Sequence, residues 1–132
     1  MSIEFSDMNL HPMLVQAVAE LGYTTPMPIQ SELIPVMMTG KDVIGQAQTG
    51  TGKTAAFAVP ILQLLGKNRS FDRKKKLRSL IVTPTRELAI QIDESFKAYG
   101  RHTGLKSTVV FGGVPQNPQT AVLGRGVDIL VA

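Results

Sequence analysis

The chain has 132 residues, enough for one domain with its own core but short for two. Its composition, 43% hydrophobic and 18% charged, is that of an ordinary globular protein, and the absence of cysteine excludes a disulfide framework, a thiolate metal site and a catalytic thiol. The net charge of +4 admits a nucleic-acid partner, yet it is concentrated in GKNRSFDRKKKLR, Gly66 to Arg78, and the remaining chain is −2, so that run reads first as a solvated loop.

From the N-terminus, MSIEFSDMNL places Glu4 and Asp7 where a secretory leader would have lysines. No apolar run approaches the ~20 residues that span a bilayer. A cytoplasmic protein with no membrane segment is expected. Leu10, Leu14, Val18 and Leu21 recur at helical spacing, with Pro12 suited to a first turn and Gly22 placed to stop the helix. His11 stands where a capping Ser or Asp is common, a weak cap at most. The bend TTPMP opens a second helix that runs to Gly40, with a kink expected at Pro35.

DVIGQA then reads as a short strand, AQTGTGKT as a turn, and Gly52 to Leu65 as a helix ended by Gly66. SLIVT is a buried type of strand, and Thr85 to Tyr99 a helix with Leu88, Ile92, Phe96 and Tyr99 on one face and Gly100 as its stop. STVVF and GVDILVA follow as strands. This alternation predicts an α/β fold, a parallel sheet with helices on both faces. Ligands of such sheets bind at the carboxyl ends of the strands. The AQTGTGKT turn, PTREL and FGG all follow predicted strands, which places them on that one edge.

The chemistry of the turn is phosphate binding. A helix N-terminus presents unpaired N–H groups and the positive end of its dipole. Gly50 and Gly52 let successive amides converge on phosphate oxygens, Lys53 reaches the outer phosphates, and the Thr54 hydroxyl can meet Mg²⁺. The strict pattern has glycine where Ala47 stands. Upstream, Phe5 and GYTTPMPIQ set an aromatic, a rigid turn and Gln30 before the loop. A glutamine amide can donate to N6 and accept from N7 of adenine, although a lone Gln at a helix start is usually only exposed.

Together, AQTGTGKT, PTRELA, Gly112-Gly113 with Gln119, and PIQ with Phe5 seventeen residues before Gly22 resemble the first RecA-like domain of DEAD-box ATP-dependent RNA helicases. GGVPQNPQ and DILVA look most like the bacterial RhlE-like subgroup. The resemblance covers essentially the whole chain. It implies a RecA-like P-loop NTPase fold in which residues 1–40 form an adenine-reading helical segment and 41–132 part of the first RecA-like domain. Phe5, Tyr23 and Gln30 would surround adenine. Gln48, Thr49, Gly50, Thr51 and Gly52 would wrap the phosphates of ATP, with Lys53 and Thr54 as the catalytic candidates and Thr54 on Mg²⁺. Pro84, Thr85, Arg86, Gly113 and Gln119 would grip RNA through its backbone, with little sequence preference. The family usually has Ser or Thr where Met27 stands, which removes a hydroxyl from the adenine turn.

Hydrolysis also needs a carboxylate beyond an apolar strand, and none of the predicted strands leads into one. The resemblance explains this, because the family's TPGR, DEAD and SAT motifs, its later strands and its second RecA-like domain have no counterpart here. The chain alone is therefore expected to bind without hydrolysing ATP, to have unpaired sheet edges and to associate with itself through them. The alternatives are a nucleotide- or RNA-binding module, or another P-loop ATPase such as a DNA helicase.

Overall fold

The computed structural model describes residues 4–48, 52–67, 78–110 and 127–132. A 3₁₀ turn, Phe5–Asp7, leads into helix α1, Pro12–Glu20. His11 caps this helix after all: its Nδ1 accepts from the Met13 amide at 3.1 Å, and its own N–H donates to Gln63 Oε1 at 2.7 Å. At the other end Gly22 takes φ +87°. Its N–H donates to the Ala19 carbonyl at 2.9 Å, and that of Tyr23 to Val18 at 3.1 Å, the paired bonds of a Schellman stop. Leu14, Ala17 and Val18 are buried, but Leu21, already past the last helical residue, is exposed.

Helix α2, Pro28–Met37, contains Pro35. Helix α3, Lys53–Lys67, is the central one, with Ala55, Ala56, Ala58, Val59 and Leu62 all buried. An element apolar around most of its circumference must be covered from several sides, and α2 lies along it. Helix α4, Arg86–Tyr99, packs on α3 as well, through Phe96, whose ring centroid lies 6.3 Å from that of Phe57. Its buried stripe is Ala89, Ile92, Asp93 and Phe96, whereas Leu88, expected on that face, is exposed.

Among the described residues three parallel strands complete the fold: β1, Ser79–Ile81; β2, Ser107–Val109; and β3, Ile129–Val131, in the order β1-β3-β2. Ile129 pairs with both Ser79 and Ser107, and Val131 with Ile81 and Val109. The last strand in sequence is thus the middle one. It is also the most buried, because Ile129 and Val131 point into the same core as Ile92 and Phe96 of α4. Leu80, on the opposite face of β1, is 58% exposed. Asp128 ties the three strand starts together: its carbonyl accepts from Arg78 and Ser79, and its carboxylate from the Lys106 amide at 2.9 Å.

The strand expected at DVIGQA does not form; residues 41–48 have no regular structure. Among the described residues no hydrogen bond pairs the backbone of 42–47, and Ile44 is fully exposed. Strand composition cannot build a strand without a neighbour to take its N–H and C=O groups.

Candidate nucleotide pocket and nucleic-acid edge

A cavity of about 260 Å³ opens where the N-terminal turn meets the start of α3, lined by Phe5, Val18, Tyr23, Thr25, Met27, Gln30, Gly52, Ala55 and Tyr99. Local structure accounts for the convergence. The Phe5 amide donates to the Thr24 carbonyl at 3.0 Å, which binds the first aromatic to the bend after α1. The ring of Phe5 is itself buried, so only part of it faces the cavity. The Schellman stop at Gly22 turns the chain so that Tyr23, 54% exposed, stands at the rim.

Gln30 is the hinge of this arrangement. It occupies the third position of α2, and its Oε1 accepts from the Met27 amide at 2.8 Å, the returning half of a capping box. Met27, as its lack of a hydroxyl predicts, makes no side-chain cap. The Nε2 of Gln30 donates to the Gly52 carbonyl at 3.1 Å, a bond 22 residues long that joins the bend directly to the phosphate-type turn. An amide has two donor hydrogens and two acceptor lone pairs. One of each is used, and one of each remains for a ligand, although the residue is only 6% exposed.

Gly52 takes φ +83°, and the same carbonyl that receives Gln30 also accepts the Ala56 amide at 3.2 Å. The amides of Lys53, Thr54 and Ala55, in the first turn of α3, have no acceptor within the helix. Lys53 is exposed and Thr54 half-buried. Gln48 is exposed. Thr49, Gly50 and Thr51 lie outside the described residues. The described part of the turn therefore offers helix amides, an ammonium and a hydroxyl next in sequence to Gly52 of the cavity wall, the kind of donor set that suits an anion.

PTREL forms the second site element. Pro84, Thr85 and Arg86 are all exposed, just beyond the carboxyl end of β1. Thr85 caps α4 by accepting from the Leu88 amide at 3.2 Å. Thr83 holds the turn to the sheet: its N–H donates to the Ala132 carbonyl at 2.7 Å, and its hydroxyl donates to the Thr85 carbonyl at 3.1 Å. Gly113 and Gln119 fall outside the described residues, as does 68–77 of the basic run. Arg78, at the end of that run, donates to the Leu65 carbonyl at 3.0 Å and so helps close the C-terminus of α3.

Of the lining residues not singled out for the site from sequence, which include Val18, Thr25 and Ala55, the aromatic one is Tyr99. Its helical spacing with Phe96 marks it as core-facing, and nothing local says that the end of α4 reaches the pocket of the first 30 residues. A clasp joins these two regions. Glu20, at the end of α1, accepts from His102 Nε2 at 3.0 Å and pairs with Arg101 Nη1 at 3.0 Å. The hydrogen bond from His102, opposed by desolvation and aided by the nearby charges of His102 and Arg101, holds the Glu20 carboxyl below its ordinary 4.5.

The model of the DEAD/DEAH box helicase family matches residues 27–132. The chain belongs to this family. Among similar proteins, the ATP-dependent rRNA helicase RRP3 of Meyerozyma guilliermondii is 48% identical over 128 residues, which cover 97% of this chain and 26% of the relative. The ATP-dependent RNA helicase RhlB of Xanthomonas oryzae pv. oryzae is 46% identical over 132 residues, 98% of this chain and 23% of the relative. The crystal structure of a DEAD box protein from Methanococcus jannaschii superimposes with a TM-score of 0.85 at 31% identity, covering 99% of this chain and 35% of the other. The DEAD/DEAH fold is thus the RecA-like α/β fold expected from the motifs, and the chain spans about a quarter of the length of its curated relatives. Among the described residues no helix is long and apolar enough to cross a membrane.

Proposed function

We propose that this chain forms the ATP- and RNA-binding part of an ATP-dependent RNA helicase of the cytoplasm. The observation that supports it best is the bond between Gln30 and Gly52, which fixes a base-sized aromatic cavity against the first turn of α3. In this reading Phe5 and Tyr23 give apolar surface to adenine, and the unused donor and acceptor of Gln30 meet its edge. The amides of the first turn of α3, together with Gln48, Thr49, Gly50, Thr51 and Gly52, wrap the phosphates, and Lys53 neutralises them. Among the described residues no group of three His, Cys, Asp or Glu could hold a metal. A Mg²⁺ ion would be held by the Thr54 hydroxyl and would supply charge neutralisation at the phosphates.

Pro84, Thr85 and Arg86, joined by Gly113 and Gln119, hold the RNA backbone. Binding of this kind weakens with salt and hardly depends on sequence. ATP binding would draw RNA and the two RecA-like domains of the whole protein together, and hydrolysis would reset them. Among the described residues no strand runs on into Asp or Glu, so in this reading the chain by itself would bind nucleotide without hydrolysing it. The backbone of 42–47, unpaired among the described residues, and the exposed Leu80 and Val82 give it surfaces for self-association, which sedimentation at several concentrations would detect.

Calorimetric titration with Mg-ADP and Mg-GDP tests the reading. Tighter binding of ADP than of GDP is expected, with the preference lost in Gln30→Ala and all affinity reduced in Lys53→Ala. Equal affinity for both nucleotides would leave a phosphate cradle and remove the adenine site.

A further inference from the structure

Tyr99 is the last residue of α4 and the one aromatic in the cavity wall that comes from beyond the phosphate-type turn. One part of its ring packs on the core, and the rest faces the cavity. Its position is strongly determined. Phe96, one turn earlier, is buried, and the next residue, Gly100, lets α3 come so close that a Cβ there would lie 3.0 Å from Leu62 Cδ2. Just beyond, Thr103 donates to the Gly100 carbonyl at 2.7 Å, and the Glu20 clasp on Arg101 and His102 ties the same corner to α1. The ring therefore has little freedom to leave the wall.

The hydroxyl of Tyr99 is not among the buried unpaired polar atoms, so solvent or a ligand can reach it. Half-buried tyrosine hydroxyls usually find a partner, yet among the described residues none is bonded to that of Tyr99. Burial, with Tyr23 nearby, raises its pKa from 10.0, so the proton stays on at neutral pH and the group is available as a donor. Of the other polar groups of this wall, which include Tyr23 and Thr25, Gln30 and Gly52 already spend a donor and an acceptor on each other.

We infer that Tyr99 is a further base-binding residue of the nucleotide site: its ring closes the cavity on the side of α4, and its hydroxyl donates to an acceptor atom of the bound purine nucleoside. This rests on the adenine reading of the cavity. It also gives α4 two functions, because the helix that starts at Thr85 and Arg86 ends in the base pocket about 20 Å away, at 1.5 Å per residue.

The test is calorimetric titration of the wild-type chain, Tyr99→Phe and Tyr99→Leu with Mg-ADP, Mg-GDP and Mg-pyrophosphate, alongside thermal melts. Tyr99→Phe removes only the hydroxyl and should weaken ADP about fivefold, the worth of one hydrogen bond, with melting and pyrophosphate binding unchanged. Tyr99→Leu keeps apolar bulk on the core and should weaken ADP about tenfold or more, again sparing pyrophosphate. ADP affinity within twofold of wild type in both variants, with ADP still preferred over GDP, would overturn the inference and leave the adenine site standing. Equal loss of ADP and pyrophosphate would also overturn it, since the residue would then act on the fold. A wild-type chain that binds ADP no better than GDP, or binds neither, would remove the base pocket and this inference together.

Discussion

Replacing Gly52 by alanine tests whether the Gln30 bond is what assembles the pocket. The backbone there has φ +83°, where a Cβ costs about 1–2 kcal/mol. The new Cβ would also run into Gln30 Nε2 and come within 3.1 Å of Gln30 Cδ and 3.2 Å of Met27 Cγ. The amide must then swing away, which breaks its bonds to the Gly52 carbonyl and the Met27 amide. These two bonds are worth about 1 kcal/mol each, so the total loss is about 3–4 kcal/mol. Against the 5–15 kcal/mol typical of a folded domain, that is a large fraction. Urea unfolding should show a lower midpoint with an unchanged slope. The decisive comparison is the same substitution in a Gln30→Ala background. With no amide to displace, Gly52→Ala should cost only the backbone term, about 1–2 kcal/mol. Additivity of the two substitutions within about 0.5 kcal/mol would refute the coupling between bend and turn.

Thr85→Ala removes the cap of α4 and should lower stability by about 1 kcal/mol in the same assay, with Thr85→Ser restoring most of it. Phe96→Ala empties a site 2% exposed in the centre of the core and should cost about 3–5 kcal/mol, enough to leave a marginal chain unfolded by circular dichroism. The Glu20 carboxyl is held below 4.5 in the folded chain, so the stability it adds is present above pH 4.5 and lost as pH falls through its lowered value. Thermal melts of wild type and Glu20→Gln should accordingly differ above pH 4.5 and converge in stronger acid; a difference independent of pH would contradict this. Arg86→Ala should weaken RNA binding about equally for different sequences and reduce the salt dependence of log K by about one unit, measured by fluorescence anisotropy.

Much of this was legible in the sequence because its causes are local. Gly22 and Gly100 end their helices, Pro12 and Pro28 begin theirs, and Thr85 caps α4, each through bonds that reach only a few residues. The family was legible for a related reason: phosphate and backbone recognition depends on small residues at fixed spacing, and AQTGTGKT and PTRELA preserve that spacing. Long-range contacts decided the remainder. Whether DVIGQA becomes a strand depends on a partner for its amides, which no property of those six residues can specify. The burial of Ile129 and Val131 follows from the place of the last strand at the centre of the sheet. The two features that shape the pocket are of the same kind. The bond from Gln30 to Gly52 spans 22 residues, and Tyr99 reaches the cavity only because α4 packs across α3 and Glu20 clasps its end. Sequence spacing fixes chemistry along a turn; only the folded chain brings a wall from residue 99 to a pocket begun at residue 5.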